Sequence, residues 1–530
     1  MKHMKKFFIL FATICCWHIT NADACTSLLA GRGATTDGST FITYAADSHT
    51  LYGSLVYIPA THYPENTMLE VKEWDTGKPL GHIPQVESTY AVMGNMNEYQ
   101  LSITESTWGG RPELVDTTGI IDYGSLMFIT LQRAKTAREA IKVMTDLVKK
   151  HGYYSSGESF SIADPNEVWI MEMIGKGVHN KGAVWVAVRI PDDCISAHAN
   201  QARIHTFPLD DKDNCVYSPD VISFAREKGY FDGLNKDFSF ANAYAPADFG
   251  ALRGCEARVW SFFRKFNNTM DDYLSYINGE SKTPIPLYVK PNRKLSAQDM
   301  KDAMRDHFEN TPFDMTQDVG AGPFKVPYRF RPMTFTVDSV EYTQERAIAT
   351  QQTGFTLVAQ MRNWLPDAVG GVLWFGVDDT NTCVYIPIYC SATEVPECFN
   401  PKNGSLYKLS WTSAFWIHNW VANMAYARYN YMIKDIRPVQ QQLENEFNTW
   451  QPSIEKAAID LYKNDKDAAI RFLTAYSVAQ AQRSTARWKE LGEYLMVKYL
   501  DGNIKREKDG QFMDNGYGLP ESPEPPEFPE

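Results

Sequence analysis

The sequence predicts an α+β fold in which antiparallel sheet is covered by helices and a helical region follows on the C-terminal side. Three observations point to it. Strand patterns come in clusters with helices inserted between them, not in the strict β-α alternation of a doubly wound parallel sheet. Neighbouring strand patterns are separated by short turn signals, as hairpins require. Beyond about residue 411 strand signals become few and apolar residues recur at helical spacing.

Residues 26–30 and 39–46 are short β-branched or apolar runs separated by Gly31, Gly33, Asp37 and Gly38, which predicts two strands joined by a turn. Further strands are expected at 54–58, 89–93 and 101–104. Residues 159–163 and 167–173 flank Asp164-Pro165-Asn166, a hairpin signal, and 183–190 follows as another strand. Later, 354–361, 370–377 and 382–389 form a meander pattern, with Asp378-Asp379-Thr380-Asn381 as one turn. In 137–150, Ala140, Ile141, Met144, Leu147 and Val148 fall on one helical face and Gly152 lies just beyond.

Between 411 and 502 two stripes recur at helical spacing. One is Trp416, Trp420, Met424, Ala427 and Tyr431; the other is Val478, Ala481, Trp488, Leu491 and Leu495. Both are expected in a core, with Gly502 closing the last helix. Residues 519–530 are rich in Pro and Glu, a composition that cannot bury a core, and the tail 506–530 is expected to lack fixed structure. The expected organisation is a leader over 1–24, a main domain over 25–410, a helical region over 411–505 and the tail.

Composition narrows the function classes. The chain has 44% hydrophobic and 22% charged residues, as soluble globular proteins do. No apolar run after residue 24 is long enough to span a bilayer. With 52 basic and 64 acidic residues the chain is anionic, which argues against nucleic acid and against an anionic membrane as partner. A homo-oligomer is compatible with this composition.

The start of the chain carries the strongest chemical signal. Met1-Lys2-His3-Met4-Lys5-Lys6 is basic, and Phe7–Trp17 is apolar but too short to span a membrane. Ala22-Asp23-Ala24 then gives the A-x-A pattern of a signal-peptide cleavage site. Export to the periplasm or the extracellular space is therefore expected. Cleavage after Ala24 would make Cys25 the first residue, with a thiol and a free α-amine on one residue. The thiolate is the nucleophile, and an α-amine with a pKa near ~8 can take the thiol proton at neutral pH. The competing readings are an ordinary early cysteine and a lipid-anchored, non-catalytic binding protein. Asp23 fits poorly beside an acylated cysteine. After the leader seven cysteines remain: Cys25, Cys194, Cys215, Cys255, Cys383, Cys390 and Cys398. The odd count leaves Cys25 as the natural unpaired thiol; the other six can make disulfides or remain buried thiols.

Other chemistries lack their motifs. Gly31-Arg32-Gly33 starts like a dinucleotide fingerprint, but the third Gly is missing and a strand follows. There is no H-E-x-x-H, Walker A, G-x-S-x-G or paired C-x-x-C. His49, His198 and His205 lack metal-ligand spacing and are expected to be structural. No cofactor and no metal are expected.

Several segments together resemble one family. They are Cys25-Thr26-Ser27, Gly31 to Thr40, Asp47-Ser48, Met96 to Gln100, Glu105-Ser106-Thr107-Trp108-Gly109-Gly110-Arg111 and Arg189 to Asp193. His198-Ala199-Asn200-Gln201-Ala202-Arg203-Ile204, Glu256-Ala257-Arg258-Val259-Trp260 and Asn419 to Met424 continue the series. In this order they are similar to the C69 family of dipeptidases. The resemblance implies an N-terminal-nucleophile hydrolase, an αββα sandwich of two antiparallel sheets, acting on dipeptides without a metal. Related enzymes of this fold, the penicillin and bile-salt acylases, cut other amides, so an amidase of that kind is the alternative.

By this resemblance Cys25 would attack the peptide carbonyl and form a thioester that water then hydrolyses. Asp47 matches an acidic residue that contacts the nucleophile's amine. Asn200 matches an oxyanion-hole amide, a kind of donor worth about 3 kcal/mol. Arg258 matches an arginine near the nucleophile. Glu105 and Thr107 occupy the segment where acylases carry a second amide donor, and with Arg203 they are the expected substrate-binding residues. Glu105, or alternatively Glu172, is a candidate partner for a substrate's free amine. One departure stands out. Many relatives carry an arginine three residues before the aspartate matching Asp47, and here that residue is Tyr44.

Overall fold

A computed structural model describes residues 25–331 and 333–518. The leader 1–24 and the Pro/Glu-rich stretch 519–530 lie outside the described residues. The fold is α+β, built on two antiparallel sheets.

The first sheet runs Tyr288–Val289, Ile195–His198, Ser27–Ala30, Thr40–Asp47, Thr353–Met361, Val372–Val377, Ile386–Tyr389. The second runs Cys215–Tyr217, Ala183–Ile190, Val168–Gly175, Gly157–Ala163, Ser102–Trp108, Met96–Asn97, Val92–Met93, Tyr57–Ile58. Helices cover the outer faces. Ala140, Ile141 and Met144 of the helix Ala137–His151 pack with Ile103, Phe160 and Met171 of the second sheet. Over the first sheet, Lys301 of the helix Ala297–Ala303 stacks on Trp374 at 3.4 Å. Ser477 of the helix Lys466–Lys498 accepts from the Tyr389 amide. The order is thus helices, sheet, sheet, helices.

Where the sheets face each other near Cys25, the contact is polar. Ser27 Oγ meets Thr104 Oγ1 at 3.3 Å, and Thr104 donates to the Thr43 carbonyl. His198 is buried between Ser106 Oγ at 2.6 Å and Ser161 Oγ at 2.7 Å. Burial, with Arg203 and Arg258 nearby, lowers its pKa to about 3. The ring is therefore neutral, with one nitrogen donating and the other accepting. Because side chains alternate along a strand, Thr104 and Ser106 face the first sheet. Ile103, Glu105 and Thr107 turn to the other side.

The strands at 26–30, 39–46, 159–163, 167–173, 183–190 and 354–361 form within a few residues of their expected bounds. Others differ. Only Tyr57–Ile58 of 54–58 pairs, and 89–93 splits between two sheets because Ser88–Thr89 bonds to Thr61–His62. The strand expected at 101–104 continues through Trp108, which places Glu105 and Thr107 on sheet. Residues 367–370 form a helical turn before the strand from Val372, and only Ile386–Tyr389 of 382–389 pairs. The hairpin Met68–Lys72/Pro79–Pro84 and the short strand Ile195–His198 carry too few alternating apolar residues to be read in advance.

The C-terminal region is helical, over Ala414–Tyr426, Tyr429–Tyr462 and Lys466–Lys498. Ala481, Trp488, Leu491 and Leu495 are buried as expected. The first stripe is not. The buried face of Ala414–Tyr426 is Ile417, His418, Val421, Ala422 and Ala425, while Trp416, Trp420 and Met424 are half-buried. Small residues allow the helix to approach closely, and the indoles take the rim. The seven cysteines among the described residues are free thiols, so none of the possible disulfides forms. The tail expected from 506 does not begin there: Ile504–Lys508 pairs with Gln511–Gly518 as a hairpin. No helix of the described residues is long and apolar enough to cross a membrane.

Gly492 marks the closest approach in this layer, since a Cβ added there would lie 2.3 Å from the Trp420 ring. Overpacking typically costs about 1–3 kcal/mol, against about 1 kcal/mol gained from helix propensity. Gly492→Leu should therefore lower the urea unfolding midpoint. An unchanged or higher midpoint would refute the contact.

Candidate active site

Cys25 lies two residues before the start of the strand Ser27–Ala30 and is 4% exposed. Its thiol opens onto a cavity of about 120 Å³ that Tyr44, Asp47, Glu105, Thr107 and Tyr123 also line. At the mouth, Trp74 stacks on Phe128 with ring centres 4.4 Å apart. Trp74 and Asp75 sit in the turn between Met68–Lys72 and Pro79–Pro84, so that unforeseen hairpin supplies one wall.

Arg258 fixes the nucleophile's backbone. It lies in the helix Ala257–Phe266, directly after a π-helical turn over Leu252–Glu256, and is 1% exposed. Its Nη1 donates to the Cys25 carbonyl at 2.8 Å and to Thr26 Oγ1 at 2.7 Å. Its Nη2 donates to the Ala199 carbonyl and, at 2.8 Å, to Asn200 Oδ1, and its Nε to the Gly254 carbonyl. All five N–H donors of a guanidinium are thereby used. Burial and the nearby Arg346 lower its pKa to about 10, so it stays a cation at neutral pH. Asn200 has a positive φ of 60°, which Asn tolerates better than most residues. Its Nδ2 donates to the Thr107 carbonyl at 2.6 Å. Asn200 thus stands beside the Cys25 segment, held at both ends of its amide.

The other side of the thiol is acidic. Cys25 Sγ lies 3.5 Å from Glu105 Oε1 and 3.7 Å from the Tyr44 hydroxyl, which itself donates to Glu105. Thr107 Oγ1 donates to Glu158 at 2.6 Å and reaches Glu105 at 3.5 Å. Burial raises the Glu105 pKa, and burial plus the Glu105 charge pushes Glu158 well up. Burial, then the charges of Glu105 and Asp47, raise the Cys25 thiol well above its ordinary value. The Asp47 backbone amide and the Tyr44 hydroxyl pull the other way. Tyr44 thus meets the nucleophile directly.

Asp47 ends the strand Thr40–Asp47 and is buried. Arg346 donates to its Oδ2 at 2.6 Å and Thr353 to its Oδ1 at 2.6 Å. Burial raises its pKa against the pull of Arg346. Arg346, Glu158, Asp75 and Tyr123 belong to the site and were not legible in advance. Arg346 stands 299 positions from Asp47 in a segment without a motif.

Two expected substrate-binding candidates lie elsewhere. Arg203 is buried, with Nε on Glu256 at 3.0 Å and its Nη atoms on the carbonyls of Ala197, Ile285, Pro286 and Leu287. None of its donors faces the cavity. Glu172 accepts from the backbone amides of Arg203 and Ile204. His205 pairs with Ser239 and His49 is exposed in the turn after Asp47. No group of three or more His, Cys, Asp or Glu among the described residues could hold a metal ion.

Comparison with known proteins agrees with this geometry. The sequence model of peptidase family C69 matches residues 24–442. A probable dipeptidase of Latilactobacillus sakei is 27% identical over 477 residues, covering 85% of this chain and 90% of that protein. A probable dipeptidase of Salmonella dublin is 27% identical over 73% of this chain and 85% of its own length. Dipeptidase A of Lactobacillus helveticus is 24% identical over 93% of this chain and 97% of its own.

The structure makes Arg203 a clamp, so its removal should act on stability. Breaking a buried ion pair by removing one partner costs about 3–5 kcal/mol. Arg203→Met should lose that much in urea unfolding, while the fraction still folded keeps its KM for peptide. A raised KM at unchanged stability would return Arg203 to substrate binding.

Proposed function

Because the chain belongs to peptidase family C69, whose members are N-terminal-nucleophile cysteine hydrolases of peptide-like substrates, we propose that it is an exported dipeptidase working through Cys25 and a thioester. One observation carries this reading. The Cys25 thiol lines a small, acidic, closed-in cavity while its own carbonyl is pinned by a buried guanidinium. A cysteine that merely follows a leader has no need of such fixing.

The chemistry runs as follows. Once Cys25 is the first residue, its α-amine takes the thiol proton and the thiolate attacks the scissile carbonyl. The carbonyl π electrons move to oxygen and Asn200 is the side-chain amide assigned to that oxyanion. Collapse breaks the C–N bond, and the α-ammonium returns its proton to the leaving amine. Water, deprotonated by the same amine, then hydrolyses the thioester and restores the thiol. Asp47, held between Arg346 and Thr353, orients the amine. Its ion pair with Arg346 tempers the pull that a lone carboxylate would exert on the amine's proton.

The acylase alternative is disfavoured by charge. Penicillins and bile-salt amides are anions, and the cavity is lined by the carboxyls of Asp47, Asp75 and Glu105. A lipid-anchored protein would need the Cys25 sulfur outside the cavity that it lines. Export rests on the leader sequence.

Alkylation of Cys25 should inactivate the enzyme, and Cys25→Ala should lower kcat by about 10⁴-fold or more, as loss of a nucleophile does elsewhere. Chelators should leave activity unchanged. Strong loss on chelation, restored by zinc, would refute the thiol mechanism. A folded form that retains a Met before Cys25 should be inactive, because an amide nitrogen is not a base. Full activity of that form, with the extra residue verified by mass, would place the base elsewhere.

A further inference from the structure

Glu105 stands in a place set by the substrate's own covalent geometry. In an unblocked dipeptide the α-nitrogen is two bonds from the scissile carbonyl carbon, about 2.5 Å away by standard bond lengths and angles. A carboxylate that binds that nitrogen must therefore lie within about 5 Å of the carbon under attack, allowing a further hydrogen-bond length. Glu105 Oε1 is 3.5 Å from the attacking sulfur. Behind it, Glu158 Oε2 is buried and accepts no hydrogen bond. Asp75, held by the Tyr123 hydroxyl at 2.9 Å, lines the same cavity. The two arginines of the site point elsewhere: Arg258 to the Cys25 carbonyl and Asn200, Arg346 to Asp47.

We infer that the α-ammonium of an unblocked dipeptide docks on Glu105, backed by Glu158 and Asp75, and brings to Cys25 the positive charge that Tyr44 does not supply. The inference rests on the dipeptidase reading and adds who recognises the amine and what its charge does. In the empty enzyme the Glu105 charge, after burial, opposes ionisation of the thiol. A substrate cation on Glu105 neutralises that opposition and favours thiolate. The thiol proton goes to the α-amine of Cys25, as in the mechanism above, so no further reagent is needed. An acylated substrate would bring no charge and would leave Glu105 with only its neutral partners, Tyr44, Thr107 and the thiol.

The test compares Ala-Ala with propionyl-Ala, which has the same skeleton without the amine. The wild-type enzyme should prefer Ala-Ala in kcat/KM by about 10- to 100-fold, the worth of a hydrogen bond to a charged group. Glu105→Gln should collapse that preference, with kcat/KM for Ala-Ala falling relative to that for propionyl-Ala. The same variant should be alkylated by iodoacetamide faster than wild type, because its thiol no longer faces a carboxylate. A loosened fold would expose the buried thiol and slow both substrates alike, so the signature is loss of the Ala-Ala preference with faster alkylation at an unchanged urea unfolding midpoint. Equal wild-type rates on the two substrates, an equal loss on both in the variant, or slower alkylation would overturn the inference. Should Glu105→Gln not fold, the wild-type preference still decides, with Glu158→Gln expected to raise the KM for Ala-Ala alone. Cleavage of neither substrate, or cleavage surviving Cys25→Ala, would instead sink the dipeptidase reading.

Discussion

The site depends on one buried guanidinium. Arg258 joins the Cys25 carbonyl, Thr26, Ala199, Asn200 and Gly254. These groups come from the two residues before the first strand, from the turn after Ile195–His198 and from the helical segment before Arg258. Each is a polar atom that burial would otherwise leave costly. A planar cation with five fixed donors satisfies them together, which a lysine could not. Arg203 repeats the device nearby, binding the Ala197 carbonyl and Glu256. Glu256 and Arg258 lie two residues apart, so the same short stretch of chain grips 197–203 from both sides. The strand that borders Ser27–Ala30 is thereby fixed, and Cys25 with it.

The charges around the thiol are segregated. Cations lie behind it, on the backbone of Cys25 and on Asp47; carboxyls lie in front, where a substrate enters. Arg346 is paired with the Asp47 carboxylate, while Arg258 spends its five donors on neutral oxygens of the backbone and of Thr26 and Asn200. The front carboxyls act at the sulfur. Burial and these carboxyls disfavour the thiolate in the empty site.

Much of this was legible in the sequence because it lies in local patterns. Alternating apolar residues gave most strands of both sheets, and the stretches around Cys25, Asp47, Glu105, Asn200 and Arg258 marked segments that do converge. The misses share a cause. Arg346, Glu158 and Asp75 reach the site through tertiary packing and sit in stretches with no motif, so no spacing could flag them. Arg203 lies in a motif, but the reason is a clamp and not a ligand. Sequence locates such an arginine without showing which way it points. Tyr44 was read as an absent cation; in the fold its hydroxyl bridges thiol and carboxylate. The Trp416/Trp420 stripe failed because helical spacing identifies a face without saying whether bulk or small size wins the close contact.

The helical layer bears on the catalytic centre although it lies on the far side of the first sheet. The helix Tyr429–Tyr462 delivers two buried carboxylates to that sheet's outer surface. Glu444 binds Arg305 at 2.6 Å and the Tyr385 amide at 3.0 Å. Glu455 binds Arg362 at 2.7 Å and accepts from the Tyr389 hydroxyl. Arg362 directly follows the strand Thr353–Met361, whose first residue donates to Asp47. The same strand pairs along Thr40–Asp47, with Leu357 opposite Tyr44. The helix supplies the carboxylate that pairs with Arg362 and one of the two that pair with Arg305, the other being Asp302. The C-terminal helices thus share one core with the sheet that carries Asp47 and Tyr44.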